Sequence, residues 1–265
     1  MKVFVLALLF GVMALGCSPQ HDLGDTTFHI RIDDMVLDQD ALVVEESLRQ
    51  SNGDDLSTRA AGSFSVYSSQ PWKNAVLPVV FDKAVPSLRR KQFLEWGEKW
   101  FQGTGVKVVA RSRESDYLRV TYKNDGCYAQ VGARRGQRRS LNLAPACWYE
   151  ATVQHEIGHA LGLMHEHQRP DRDNYIVLDL ANVKPENRFA FDRFATMNES
   201  EAYDFLSIMH YDETAFSFNG KRTILVRPQH AKYEGRYGIK AISDGDRRVM
   251  AKIYAQEVLS RETDR

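Results

Sequence analysis

The chain has 265 residues, of which 43% are hydrophobic, and its 35 basic side chains balance its 35 acidic ones. This length accommodates one or two domains, and the apolar content is sufficient for a sizeable core. No segment combines a sustained basic stripe with stacking aromatic residues, which argues against a nucleic-acid partner.

The N-terminus is predicted to be a targeting segment. Lys2 precedes an apolar run over residues 3–15, which is too short for a membrane-spanning helix and is typical of a signal peptide. We therefore predict a signal peptide over residues 1–16 and export into an oxidising compartment. The sequence Ala14-Leu15-Gly16-Cys17 resembles a bacterial lipobox. It favours a periplasmic or outer-membrane lipoprotein with a lipid anchor at Cys17, and ordinary secretory cleavage is the alternative.

Residues 18–59 differ in composition from the rest of the chain. They hold ten acidic and three basic side chains, whereas residues 60–265 carry an excess of basic ones. Complementary charge favours docking of the acidic segment on the basic body, and a solvated acidic linker is the alternative.

The body is predicted to be α+β. Four stretches rich in β-branched or apolar residues are the predicted strands: residues 75–82, 106–110, 117–123 and 141–144. Ser87 is expected to cap a helix that ends at Gly103 and Gly105. Its aromatic residues recur at helical spacing and are expected in the core: Phe93, Trp96, Trp100 and Phe101.

Cys127 and Cys147 are predicted to form a disulfide, because an exported protein folds in an oxidising compartment. A chain-entropy estimate for a loop of this length is roughly 3 kcal/mol of stabilisation. Two free buried thiols are the alternative.

The sequence HEIGHALGLMHEHQRPDRD, which begins at His155, predicts a metal site. His155 and His159 lie four residues apart, so a helix presents both on one face to one metal ion. Gly162 can adopt the left-handed conformation that ends a helix, and the turn brings His165 to the same ion. Three neutral nitrogens with one open position are the pattern of catalytic zinc.

Glu156 is directed beside the histidine pair rather than at the ion, so we predict that it takes the proton of a zinc-bound water. His167 fits no ligand spacing and is expected at the surface or behind the ligands. The alternative for the whole cluster is a set of helix-face histidines satisfied by their neighbours.

Residues between 166 and 240 show little periodicity and are expected to be mostly irregular. Asp244 is expected to cap a final helix that buries three side chains: Val249, Ile253 and Tyr254.

The histidine stretch, followed downstream by Ser207-Ile208-Met209-His210-Tyr211, resembles the astacins, a metzincin family of secreted zinc endopeptidases. Further agreement comes from WKNAVLPVVFD near Trp72, from the cysteine spacing and from SDGDRRVMAKIY at residues 243–254. The resemblance covers roughly residues 66–257. It implies a zincin-like domain over residues 60–265, with a twisted, mostly parallel sheet and two main helices, then a largely irregular subdomain ending in a helix.

The resemblance also implies individual roles. His155, His159 and His165 correspond to the ligands of one Zn²⁺ per chain, with Glu156 as the general base. Met209 corresponds to an apolar floor beneath the metal, and Tyr211 to a phenol that ligates zinc at rest and then stabilises the oxyanion.

The segment from Cys127 to Val131 corresponds to the edge strand that binds protein or peptide substrates in extended conformation. The basic run from Ala133 to Arg139 follows it and is expected either to attract acidic side chains of a bound peptide or to form a solvated loop.

The family implies a zymogen, with residues 17–59 as the chain's own acidic propeptide. The family silences zinc with an aspartate in a Phe-x-Gly-Asp motif, and Asp54 in Asn52-Gly53-Asp54-Asp55 is the corresponding candidate. Cleavage after Arg59 would release an ammonium at Ala60 that is expected to pair with Glu166. A non-catalytic zinc- or peptide-binding module on an astacin scaffold is the alternative function.

Overall fold

The computed structural model describes residues 29–32, 34–38, 70–194, 201–238 and 241–263, and the side chains of 29–32 and 36–38 are not described. The predicted signal peptide, Cys17, Asp54 and the Arg59–Ala60 bond lie outside the described residues. Among the described residues, no helix has the length and apolar character required to cross a membrane.

A seven-stranded sheet forms the centre of the fold, in the order β1-β2-β6-β7-β5-β3-β4. Its strands are β1 His29–Ile32, β2 Met35–Asp38, β3 Val76–Phe81, β4 Lys107–Ala110, β5 Tyr117–Thr121, β6 Cys127–Gln130 and β7 Arg138–Leu143. Strands β4, β3, β5 and β7 run parallel to one another, whereas β6 is antiparallel to β7. The mostly parallel sheet predicted from the sequence is confirmed, and its four predicted strands correspond to β3, β4, β5 and β7.

Three α-helices accompany the sheet in the part of the chain that the structure describes: α1 Ser87–Gly97, α2 Glu150–Leu161 and α3 Asp244–Thr263. The prediction that Ser87 caps α1 is wrong, because Pro86 occupies the N-cap position in extended conformation and no side chain caps the helix. Beyond Gly97 the chain tightens into a 3₁₀ turn over Glu98–Phe101, so the predicted single helix is two consecutive elements.

The main core lies between the sheet, α1, α2 and α3. Phe93 and Trp100 are fully buried in it, and Trp96 and Phe101 pack against it, as their helical spacing predicts. Tyr254 of α3 is also fully buried, while Val249 and Ile253 are partly buried at its margin. The disulfide between Cys127 and Cys147 is present and joins the start of β6 to the turn before α2.

Residues after α2 form a second cluster with little regular structure. It contains 3₁₀ turns and a two-stranded antiparallel sheet of β8 Ile176–Leu178 and β9 Ile224–Val226. Aromatic side chains dominate its core, including Phe191, Tyr203, Phe205, Tyr211 and Tyr237. The prediction of a largely irregular second subdomain is therefore confirmed.

The acidic N-terminal segment adds β1 and β2 to the sheet. These strands pair antiparallel with each other, and β2 pairs in parallel with β6 through Met35 opposite Ala129 and Val36 opposite Gln130. Ala129 N–H donates to Asp34 O at 2.8 Å. The outer edge of β6 is therefore covered by the chain's own acidic segment.

Candidate metal centre

Helix α2 is held at its C-terminal end, where an isolated helix would leave carbonyls unpaired. The carbonyl of His159 accepts from Gly132 N, that of Ala160 from the Trp72 indole and that of Leu161 from the Tyr254 hydroxyl, at 2.9, 2.7 and 2.9 Å. Strand β6, the start of the body and α3 thus fix α2 from three sides.

Gly162 ends α2 with a left-handed φ of 108°, as predicted. Its N–H donates to His159 O, and Leu163 N–H donates to Gly158 O, which closes the helix and reverses the chain. The reversal brings His165 back to the face of α2 that carries His155 and His159. All three imidazoles are buried, with at most 1% exposure.

Each imidazole is oriented by a hydrogen bond on its far nitrogen. The Nδ1–H of His155 donates to Ile208 O at 2.8 Å, that of His159 to Leu163 O at 2.7 Å, and that of His165 to Gln168 Oε1 at 3.1 Å. These partners assign the protons to Nδ1. The three Nε2 atoms then direct lone pairs at one point, and they lie only 3.1, 3.2 and 3.3 Å apart.

Three lone pairs cannot hydrogen-bond one another, whereas a single cation at their common point would bind all three. Tetrahedral zinc with nitrogen ligands at about 2.05 Å separates those nitrogens by about 3.3 Å. The observed spacing fits that value. Burial lowers the pKa of His159 to about 4, which keeps the ring in the neutral form that binds a metal.

A fourth donor comes from Asp34 in the turn between β1 and β2. Its Oδ2 lies 3.0 Å from His155 Nε2, and its Oδ1 lies 3.0 Å from His165 Nε2 and 3.5 Å from His159 Nε2. Oδ1 is buried and lacks a hydrogen-bond partner among the described residues, as expected for an atom placed to bind a cation. Together, these four side chains could hold one metal ion.

The carboxylate at the histidines is thus Asp34, whereas the sequence prediction for this role was Asp54, outside the described residues. Burial alone would raise the pKa of Asp34. The neighbouring imidazoles of His165, His155 and His159 outweigh it and hold the pKa well below its usual range. The carboxylate is therefore ionised.

Glu156 and Met209 lie next to the ligands. Glu156 follows His155 in α2 and is 1% exposed. Met209 packs against α2 at Gly158, where an added Cβ would lie 2.7 Å from the Met209 sulfur. The roles expected from the sequence, a base beside the metal for Glu156 and an apolar floor for Met209, stay predictions.

Tyr211 lies against two histidine rings. Its ring centroid is 4.5 Å from that of His165 and 3.9 Å from that of His167, with which it stacks. His167 is fully buried and donates from Nε2 to Ala190 O at 3.0 Å. Of the two locations expected for His167, the one behind the ligands is correct, and its partner there is Tyr211.

Tyr203 and His210 form a buried pair that sequence reasoning missed. The Tyr203 hydroxyl donates to His210 Nε2 at 2.7 Å, and His210 Nδ1–H donates to Tyr211 O at 2.6 Å. Burial lowers the pKa of His210 to about 3, so the ring is neutral. The pair fixes the backbone of Tyr211, and no periodicity in the sequence indicated it.

Glu166 lies behind the ligands in a setting rich in carboxylates. Its Oε1 accepts from Arg169 Nη1 at 3.1 Å and from Asp204 N at 2.8 Å. Burial raises the pKa of Glu166 to about 8, and the neighbouring Asp246 and Asp204 add to that effect against Arg169. The Arg169 guanidinium is shared, because it also binds Asp171 through two contacts of 2.9 Å.

The basic run after β6 is not uniformly solvated. Arg139 is 1% exposed and donates to the carbonyls of Gly132 and Val131 at 3.0 and 2.9 Å. These two hydrogen bonds fix the backbone that follows β6. Arg135 at the tip of the loop is exposed.

A His-Glu-x-x-His helix, a third histidine after a glycine turn and a mostly parallel sheet define a zinc-hydrolase type of metal centre. The family model of the astacin peptidases matches residues 64–255. The chain belongs to the astacin family.

Relatives support this assignment. The chain is 39% identical over 191 residues to the zinc metalloproteinase nas-12 of Caenorhabditis elegans, covering 71% of this chain and 48% of that protein. It is 38% identical over 158 residues to high choriolytic enzyme 2 of Oryzias latipes, covering 57% and 56%. The chain therefore spans about half the length of the curated relatives it matches.

A solved structure has the same fold. High choriolytic enzyme 1, a hatching enzyme zinc-protease from Oryzias latipes, superposes with a TM-score of 0.64 at 28% identity. The match covers 74% of this chain and 99% of that one.

Proposed function

We propose that this protein is a zinc-dependent endopeptidase of the astacin type, made as a zymogen. The observation that carries the proposal is the convergence of three buried Nε2 lone pairs beside Glu156. Zinc in this position supplies a Lewis acid that polarises the scissile carbonyl and acidifies water.

The side chains of the site divide the remaining work. His155, His159 and His165 would hold the ion, and their Nδ1–H donors keep the rings oriented. The Glu156 carboxylate takes a proton from the attacking water and passes it to the leaving amine. The Tyr211 phenol donates to the developing oxyanion, a contribution of roughly 3 kcal/mol for one well-placed donor.

The substrate would bind as an extended strand on the outer edge of β6, through main-chain hydrogen bonds. Gly132 N–H donates to His159 O, so the chain that leaves β6 is attached directly to the helix that carries two ligands. A strand on β6 therefore passes close to the metal. An exposed Arg135 supports a preference for acidic substrate side chains, which profiling of a peptide library at low salt would test.

The first experiment is hydrolysis of casein by chain processed near Arg59, with and without a zinc chelator. We expect activity that the chelator abolishes and added zinc restores. Bound zinc without hydrolysis would instead support the alternative, a non-catalytic zinc- or peptide-binding module on the same scaffold.

We infer that residues 17–59 act as a propeptide and that Asp34 is the latency ligand. Asp34 lies within 3.0 Å of two ligand nitrogens, and the strand that follows it covers the edge of β6. One segment thereby obstructs both the metal and the substrate strand. The main chain of β2 pairs in parallel with the outer edge of β6 at Met35 and Val36, which lie opposite Ala129 and Gln130.

Two matched variants of the uncut precursor distinguish Asp34 from Asp54. Asp34→Asn removes the anionic donor and should give measurable activity before cleavage, whereas Asp54→Asn should leave the precursor silent. The reverse result would restore Asp54 as the latency ligand. Full activity of the uncut wild type would refute the zymogen itself.

Cleavage after Arg59 is proposed to free an Ala60 ammonium that pairs with Glu166. The excess of carboxylates around Glu166 supports this, because a buried carboxylate gains strongly from an added cation. N-terminal sequencing of the trypsin-activated product tests it. An active product that begins several residues from Ala60 would refute the pairing alone.

We also propose that the protein is exported and that Cys17 carries a lipid anchor. The disulfide supports export, and the lipobox-like sequence supports lipidation. A labelled fatty acid should be incorporated by wild type and lost in Cys17→Ser. Equal labelling of both would refute the anchor and leave ordinary signal cleavage.

A further inference from the structure

The start of α3 carries a carboxylate with two sets of partners. Ser243 Oγ accepts from Asp246 N at 2.9 Å, and Asp246 Oδ2 accepts from Ser243 N at 2.8 Å, which is a reciprocal N-terminal cap. The sequence prediction that Asp244 caps this helix is therefore wrong, because Ser243 and Asp246 do so. A capping carboxylate usually faces solvent, yet Asp246 is only 4% exposed.

The second set of partners lies in the turn before Tyr211. Asp246 Oδ1 accepts from the Ser207 hydroxyl at 2.6 Å, and Oδ2 accepts from Ile208 N at 2.9 Å. An ionised carboxylate only accepts hydrogen bonds, so the Ser207 hydroxyl must donate to it. The lone pairs of Ser207 are then available, and its Oγ accepts from Met209 N at 3.0 Å.

The peptide group between Ile208 and Met209 connects these hydrogen bonds to the metal centre. Its N–H belongs to Met209 and is held by Ser207, while its carbonyl belongs to Ile208 and accepts from His155 Nδ1 at 2.8 Å. Because a peptide is planar, holding one end fixes the direction of the other. The contact chain runs from α3 to a nitrogen of a metal ligand.

We propose that Asp246 is a positioning residue for the metal ligand His155, acting through Ser207 and the Ile208–Met209 peptide. The proposal rests on the zinc site proposed above. It implies that α3, which follows that site in sequence by about eighty residues, sets the orientation and basicity of one of its ligands.

The test measures the rate at which zinc leaves the full precursor when excess chromogenic chelator is added. Asp246→Asn replaces one acceptor by an amide donor that competes for the Ser207 lone pairs. Ser207→Ala leaves the helix cap intact and removes the hydroxyl that joins Asp246 Oδ1 to Met209 N. Both variants should release zinc about 10- to 100-fold faster than wild type, the usual effect of losing a group that orients a ligand.

Ser243→Ala is the matched control. It removes one half of the same cap, at a cost of about 1 kcal/mol in stability, but leaves the contact between Asp246 and Ser207. Its zinc release should therefore match wild type although its melting temperature falls. A purely structural role for Asp246 would instead make all three variants alike.

A second measurement follows the His155 Nδ1–H proton by nitrogen-15 NMR. Its exchange with solvent should accelerate in Asp246→Asn and Ser207→Ala and remain slow in Ser243→Ala. Should Asp246→Asn fail to fold, Ser207→Ala decides both measurements. Zinc release from Ser207→Ala at the wild-type rate would overturn the positioning role while leaving the metal centre intact, and a wild-type chain that retains no zinc would overturn both.

Discussion

Gly158 lies in α2 immediately before His159, and alanine at this position would force a methyl group against the Met209 side chain. The new Cβ would lie 2.7 Å from Met209 Sδ and 3.2 Å from Trp100 Cζ2. Trp100 is fully buried and its indole donates to Gln154 O at 3.0 Å, so it cannot move away. Met209 must shift instead.

Two effects of opposite sign determine the result. Alanine gains about 1 kcal/mol of helix propensity over glycine. Overpacking of a dense core costs about 1–3 kcal/mol, and the contact with Met209 is short enough to reach the upper part of that range. We therefore expect Gly158→Ala to destabilise the protein by about 1–2 kcal/mol and to lower the melting temperature by about 2–8 °C.

Urea unfolding of Gly158→Ala beside Gly97→Ala measures the effect. At Gly97 the nearest atom to a new Cβ is the flexible Cδ1 of Ile157, at 3.2 Å, so this control should be neutral or slightly stabilised. Wild-type stability of Gly158→Ala would refute the position assigned to Met209 beneath α2.

Three further predictions concern the site and its support. Tyr211→Phe should lower turnover by about 100-fold with little change in KM, because the phenol acts on charge that develops in the transition state. Steady-state hydrolysis of a peptide measures both constants, and unchanged turnover would exclude that role. Replacement of both Cys127 and Cys147 by serine should cost roughly 3 kcal/mol in chemical denaturation, and a negligible loss would show that the closed loop is already ordered when unfolded. In Gly162→Ala the new side chain must adopt a φ of 108°, so the free energy of unfolding should fall by about 1–3 kcal/mol and the zinc affinity should fall with it. Calorimetry and chelator competition measure the two losses. Full retention of both stability and zinc affinity would contradict the turn that returns His165.

The parts of the metal centre that lie close together in sequence could be predicted, because the regular geometry of an α-helix relates residue spacing to position. Spacing of four residues places His155 and His159 on one face, and a glycine at the end of the helix returns His165. The sequence patterns gave the wrong N-cap residue for two helices. Pro86 and Ser243, each one residue before the predicted cap, occupy the N-cap positions.

The remaining parts depend on contacts between distant segments. Asp34 meets His155 across 121 residues, and this contact follows from the pairing of β2 with β6 rather than from any pattern around Asp34. A search for a glycine-aspartate sequence instead gives Asp54, which lies outside the described residues and stays a prediction. Asp246 likewise meets Ser207 across 39 residues, and its spacing from Ser243 indicates only a helix cap.

Glu156→Gln tests most directly whether Glu156 is the base of a zinc peptidase. Zinc content and turnover should be measured on processed protein beside Glu150→Gln, a control with the same substitution in the first turn of the same helix. We predict one zinc per chain in both variants, wild-type turnover for Glu150→Gln and a loss of about 10²- to 10⁴-fold for Glu156→Gln. Undiminished turnover of Glu156→Gln with zinc bound would contradict the account.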